Sequence, residues 1–179
     1  AADPAFHRAA LRLQFTLPGI PMVYYGEEFS LKGGRDPQNR ATIPWERQEA
    51  AMAAPFTQEI RQLAKLRTSS PELQKGYWEA VCVDGVPDLV AFFRTDPAAP
   101  DRLTVVVWNL AADARTVTLT IPCGWLFSEL VLEDVFTKRR AVANAGMVPF
   151  PLEPHECSIW QLRTDVKPNY SFFKRWKQA

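Results

Sequence analysis

The chain has 179 residues, 47% of them hydrophobic and 12% aromatic, which is enough to bury a core and excludes intrinsic disorder as its general state. Twenty-one Lys and Arg against 20 Asp and Glu leave a formal net charge of +1, without the one-signed field of a dedicated nucleic-acid binder. No apolar run approaches the ~20 residues of a membrane-spanning helix, and the opening Ala1-Ala2-Asp3-Pro4 lacks the layout of a signal peptide, so neither a membrane nor a nucleic acid is expected as partner and a cytoplasmic location is.

Asp3 as a cap and Pro4 at the first helical position predict a helix that Pro18-Gly19 ends, with Phe6, Ala10, Leu13 and Leu17 on one face. Ile20 to Tyr25 is apolar without alternation, the pattern of a strand buried on both faces of a parallel sheet. Only one helix precedes it, so its neighbouring strands are expected from chain outside these residues. Gly26 to about Glu46 reads as a long polar loop, and a second helix is predicted from Pro55 to Arg67, with Phe56, Ile60, Leu63 and Leu66 at helical spacing. Short strands follow: Tyr77 to Val83, Leu89 to Arg94, Leu103 to Leu110, Thr116 to Ile121, Leu126 to Leu132 and Cys157 to Leu162, with Asp84-Gly85 as a hairpin turn. That succession predicts an antiparallel sandwich. From Thr164 to Ala179 basic residues interleave with Tyr170, Phe172, Phe173 and Trp176. With a net charge near zero, packing of these aromatics on this chain or a neighbour is preferred to single-stranded nucleic-acid binding.

Cys82, Cys123 and Cys157 are odd in number and share no CxxC spacing, which predicts buried free thiols rather than a disulfide framework or a zinc site. His7 and His155, the only histidines, lie far apart beside no nucleophile motif and read as structural. No segment has the oxygen-ligand spacing of a calcium loop. No metal and no cofactor is expected.

The most informative stretch runs from Gly19 to Trp45. Gly19-Ile20-Pro21-Met22-Val23-Tyr24-Tyr25-Gly26-Glu27-Glu28 follows GxPxxYxGxE, and Asp36-Pro37, Arg40 and Pro44-Trp45 follow DPxxRxxxPW. In physical terms, the first segment places aromatic rings and a tight turn at a strand end, where α/β barrels keep their sites. The second sets Asp36 and Arg40 four apart between Gly and Pro, an ion pair with spare oxygens and N–H groups for hydroxyls. The two motifs in this order resemble the α-amylase family of glycoside hydrolases, family 13, in its neopullulanase, cyclomaltodextrinase, maltogenic amylase and α-glucosidase branch. Ser30 and Ile43 depart from residues common in relatives.

The resemblance implies an α/β fragment, the last βα unit of a (β/α)8 barrel, in residues 1–70, then an all-β antiparallel sandwich, the family's domain C, in 71–163, and the basic-aromatic arm in 164–179. It implies substrate contacts by Asp36, Arg40 and Tyr24, and a rim-scaffold role for Tyr25 and Glu28, while packing in the core is expected of at least one of the two tyrosines. The family's retaining chemistry uses two carboxylates roughly 5–5.5 Å apart. Those residues belong to earlier strands, so no catalytic residue is expected in this chain and the chain alone is expected to be inactive. The implied partners are an α-glucan oligosaccharide, the remainder of the same barrel and a further copy in a homo-oligomer. The alternative is a stand-alone binding module using Tyr77, Trp78, Trp108, Trp125 and the C-terminal aromatics, although core packing explains most of these better.

Overall fold

The structure, a computed structural model, describes residues 4–29, 31–121 and 131–163. The Asp3 cap, Ser30, Cys123, Trp125, the start of the predicted Leu126 to Leu132 strand and the arm 164–179 lie outside the described residues.

Helix α1 spans Pro4–Thr16. Its buried residues are Ala9, Leu11, Phe15 and Thr16, whereas Phe6 and Leu17 are exposed. The predicted stripe is therefore rotated. The helix is apolar enough to offer two overlapping stripes, and its packing partner selects one of them. Helix α2 (Gln48–Ala53) was not expected. Helix α3 (Pro55–Ser69) buries Ile60, Leu63 and Leu66 as its spacing requires, and α4 (Pro71–Lys75) follows after Ser70 adopts the extended backbone that a following proline favours.

Eight strands form two antiparallel sheets among the described residues: β1 (Tyr77–Val81), β2 (Leu89–Asp96), β3 (Ala99–Asn109), β4 (Arg115–Thr120), β5 (Val131–Asp134), β6 (Arg140–Val142), β7 (Met147–Leu152) and β8 (Cys157–Leu162). The larger sheet has the order β1-β2-β3-β8-β5-β6, and the smaller pairs β4 with β7. Gly85, at φ +76°, makes the predicted turn between β1 and β2, closed by the Val86 amide donating to the Val83 carbonyl at 3.1 Å.

Side-chain alternation on the large sheet explains why β3 and β8 are apolar on both faces. Ala91, Phe93, Val105, Val107 and Trp160 pack against Val117, Leu119, Val148 and Phe150 of the small sheet. Their neighbours Phe92, Val106, Trp108, Cys157 and Ile159 pack with Leu11, Phe15, Ile60, Leu63, Leu66 and Leu73 of the helices. The large sheet is thus the middle of three layers, so a strictly polar-out pattern would bury uncompensated polar groups.

Polar groups inside the helix–sheet layer are partnered. Arg94, 1% exposed, donates to the carbonyls of Thr16 at 2.7 Å, Gly76 at 3.2 Å and Tyr77 at 3.3 Å. Arg67 donates to the carbonyls of Phe15 at 3.2 Å, Leu17 at 3.0 Å and Gly19. Two guanidinium groups therefore cap the carbonyl end of α1, where the helix dipole favours positive charge. Burial pushes both pKa values down, and Arg94 is lowered further by the neighbouring Arg67. Glu72 accepts from Thr104 at 2.7 Å and Gln161 at 3.1 Å, and Arg12 pairs with Glu59 at 2.6 Å while lying 4.2 Å over the Phe136 ring.

Four expectations are corrected. Ile20 to Tyr24 forms no strand and leads into a turn at Tyr25-Gly26, and Ile20 is 95%, Met22 70%, Tyr24 51% and Tyr25 42% exposed. A parallel strand needs neighbours to hydrogen-bond and cover it, and these residues contain none. Neither tyrosine packs in the core. Cys82 is exposed and only Cys157, of the two described cysteines, is buried. Tyr77 and Trp78 are exposed on the edge strand β1, although Trp108 is buried as expected.

Candidate functional site

The segment from Gly19 to Trp45 leaves the capped end of α1 and returns to α3. Gly26, at φ +85°, turns it sharply, and its carbonyl accepts from the amides of Phe29 at 3.1 Å and Leu31 at 2.9 Å. A Cβ at Gly26 would stand 2.4 Å from Leu31 Cδ1, so both conformation and space call for glycine here. Two short 3-10 turns, Glu27–Phe29 and Gln38–Arg40, and a third at Trp45–Arg47 give the loop its shape. It is anchored where Thr57 of α3 donates to the Glu28 carbonyl and where the Tyr25 hydroxyl donates to the Ala41 carbonyl at 3.3 Å.

Asp36 and Arg40 form an ion pair, Arg40 Nε to Asp36 Oδ1 at 3.0 Å, with side chains 65% and 70% exposed. The pair leaves oxygens and N–H groups open to solvent, a planar donor–acceptor array suited to vicinal hydroxyls. The rings of Tyr24 and Tyr25 lie 4.8 Å apart at 51°. The Tyr25 phenol is held above its ordinary pKa by desolvation and then by Tyr24, while Arg40 pulls it the other way. Arg40 is thereby electrostatically linked to Tyr25.

The five residues expected at a site, Tyr24, Tyr25, Glu28, Asp36 and Arg40, thus lie on one loop system. Glu28 contributes its carbonyl to the loop anchor. The structure also adds residues that sequence gave no signal for. His7 of α1 places Nε2 3.2 Å from Glu27 Oε1, its ring 4.9 Å from that of Phe56. Together with Tyr24, Tyr25, Gln38 and Asn39, this pair lines a cavity of about 250 Å³. A contact between positions 7 and 27 is tertiary, and no local spacing announces it. His155 is structural as expected: its Nδ1 lies 3.1 Å from the Leu110 carbonyl and its own carbonyl accepts from Trp108 Nε1 at 3.2 Å. Among the described residues no three His, Cys, Asp or Glu side chains are grouped to hold a metal ion, and no helix is long and apolar enough to cross a membrane.

No family model matches the chain. It is 33% identical over 129 residues to an amylopullulanase of Thermoanaerobacter thermohydrosulfuricus, covering 66% of this chain and 8% of that protein. It is 28% identical over 161 residues to neopullulanase 2 of Thermoactinomyces vulgaris, covering 88% of this chain and 26% of that one. The crystal structure of an Anoxybacillus α-amylase superposes with a TM-score of 0.72 at 26% identity, over 89% of this chain and 33% of that chain. The chain therefore spans about a quarter or less of the length of these two curated relatives. The double motif, the sheet-rich fold and these similarities agree: the chain belongs to the α-amylase family, glycoside hydrolase family 13, and matches the C-terminal portion of its neopullulanase and cyclomaltodextrinase branch.

Proposed function

We propose that the chain is the C-terminal portion of a retaining glycoside hydrolase or transglycosylase that acts on α-glucosidic bonds, mainly α-1,4, of maltooligosaccharides, cyclodextrins or related glucans. The observation that carries this reading is the loop from Tyr24 to Arg40, where an exposed ion pair and a tyrosine pair stand together on the family's double motif. In this reading α1, the segment Ile20 to Tyr25 and α3, within residues 1–70, are the last βα unit of the (β/α)8 barrel. The two sheets, within 71–163, are domain C. Tyr24, Asp36 and Arg40 contact a glucosyl unit, while Tyr25 and Glu28 hold the rim.

The unpaired Ile20 to Tyr25 supports this reading physically. Its apolar side chains are exposed because the barrel strands that would flank it belong to the rest of the enzyme, which is the implied partner. Sugar C–H faces pack on aromatic rings, and the open oxygens and N–H groups of the guanidinium–carboxylate pair orient hydroxyls. The nucleophile and the acid/base carboxylate would come from that remainder of the barrel, so this chain positions substrate and performs no proton transfer.

Intact-mass analysis alongside hydrolysis of maltotriose and β-cyclodextrin tests the proposal. The 20.3 kDa chain by itself is expected to be inactive, and activity is expected when a larger chain carrying the rest of the barrel is present. Turnover by the 20.3 kDa species alone would sink the assignment of the catalytic groups to other chain.

A further inference from the structure

We infer that the cavity between the first turns of α1 and the 24–41 loop is a second carbohydrate pocket, taking one hexopyranose ring, distinct from the Asp36–Arg40 pair. The inference rests on the reading that the chain serves an α-glucan-acting enzyme. Asp36 and Arg40 do not line the cavity. Its walls come from two parts of the chain distant in sequence, His7 on α1 and Tyr24 to Ala41 on the loop.

Size, polarity and unspent hydrogen bonds select the ligand class. At about 250 Å³ the cavity lies below the roughly 300–1,000 Å³ of pockets that enclose drug-sized ligands, which restricts it to a single ring. Lys32, Gln38 and Asn39 line it, and their side chains make no hydrogen bond or ion pair among the described residues. A purely apolar ligand would bury those amides without partners. An anion would meet the Glu27 carboxylate, and a divalent cation would find one carboxylate beside a lysine and a histidine. A neutral ring with hydroxyls on its rim and C–H groups on its faces suits all the walls: the two amides supply donors and acceptors, His7 and Glu27 add one side, and the Tyr25 ring offers a face. The Gln38 amide lies against Gly34, where an added Cβ would come 2.7 Å from its Oε1.

The test is titration of the 179-residue chain with maltose, followed by NMR of the His Cε1–H and Tyr ring resonances. His155, held at the Leu110 carbonyl far from this cavity in sequence, is the internal control. Saturable movement of His7 and Tyr25 with His155 unmoved is expected. The Gln38→Ala/Asn39→Ala variant is expected to weaken this response at least tenfold, and the size-conserving Gln38→Glu/Asn39→Asp variant to weaken it as well. Asp36→Ala should leave the His7 response within twofold of the unsubstituted chain. A His7 resonance that stays still while maltose moves signals dependent on Asp36 overturns the pocket and leaves the proposed glucan contact standing. A His7 response that survives both amide variants, or no saturable binding of any kind, also overturns it. Retention of the His7 response with no maltose effect dependent on Asp36 or Arg40 supports the pocket and counts against the proposed role of that ion pair.

Discussion

At the scale of single residues, the two described cysteines differ in environment and so in chemistry. Burial pushes the Cys157 thiol up to about 12, and Asp134 and Glu156 add to the shift while Arg12 opposes it. Cys82 is exposed. Thiolate is the reactive species, so peptide mapping after iodoacetamide treatment of the folded chain should find Cys82 modified and Cys157 unmodified until denaturant is added. Cys157 also has a stability consequence. A folded-state pKa raised above the unfolded value of 9.0 favours the protonated fold fully below pH 9 and lets the unfolded state gain by ionising as pH rises towards 12. The expected result is a loss of stability, on the order of a few kcal/mol, between those limits, and Cys157→Ala should flatten that alkaline slope in denaturant titrations.

The exposed Asp36–Arg40 pair invites the opposite expectation. Solvent-exposed ion pairs contribute about 0–1 kcal/mol, so Asp36→Ala and Arg40→Lys should leave the thermal midpoint nearly unchanged. If the pair binds sugar, both substitutions should raise the KM for maltotriose in the assembled enzyme, because lysine cannot reproduce the planar fork of the guanidinium. An equal affinity in wild type and both variants would remove the pair from the site.

At the scale of elements, α3 and the carbonyl end of α1 hold the helical layer on the sheet. Leu63 is fully buried there, and Leu63→Ala is expected to cost about 2–5 kcal/mol in urea denaturation. Arg94→Ala would strand three carbonyls that now share one guanidinium, with an expected loss on the order of 3 kcal/mol, since each unsatisfied buried group costs roughly 1–3 kcal/mol. Arg67 on the same helix end would still hold Gly19, so the start of the 19–45 segment is expected to stay anchored. Gly76 is a different constraint: a Cβ would come 2.4 Å from the carbonyls of Glu72 and Thr95, both backbone, so Gly76→Ala must part α4 from β2.

The elements also show where local pattern suffices. Helix α3 and strand β8 stand where their sequences place them, the second at the expected Cys157 and Leu162, because α3 carries an unbroken helical period and β8 is a short, mostly apolar run. Strand β7 was missed because Pro149 and Pro151 argue against a strand. In the fold they pair with Thr118 and Thr116 across a two-stranded sheet, where one edge is free and a missing N–H is tolerated. Val148, Phe150 and Leu152 meanwhile point into the core. Strand β6 is three residues long, too short for any period to show.

At the scale of the whole molecule, the middle sheet is covered on both faces, while Ile20, Met22, Tyr24 and Trp45 remain exposed together with the motif. Exposed apolar side chains gathered on one segment mark a surface that another chain covers. Sedimentation of the isolated chain is accordingly expected to depend on concentration, and Ile20→Asp/Met22→Lys should abolish that dependence without changing the far-UV spectrum. A concentration-independent monomer before substitution would show that this segment needs no cover.

Family and the order of the main elements were determined by the sequence itself, because fixed spacings such as Gly26 before Glu28 and Asp36 before Arg40 express local geometry that neighbouring residues alone impose. The composition likewise determined that a core would form. Tertiary structure alone decided which stripe of α1 is buried, that Arg94 and Arg67 cap one helix end, that Ile20 to Tyr25 stands uncovered, and that His7 reaches Glu27. Each of these depends on contacts between residues far apart in the chain, whose free energies come from burial and pairing that no local period encodes.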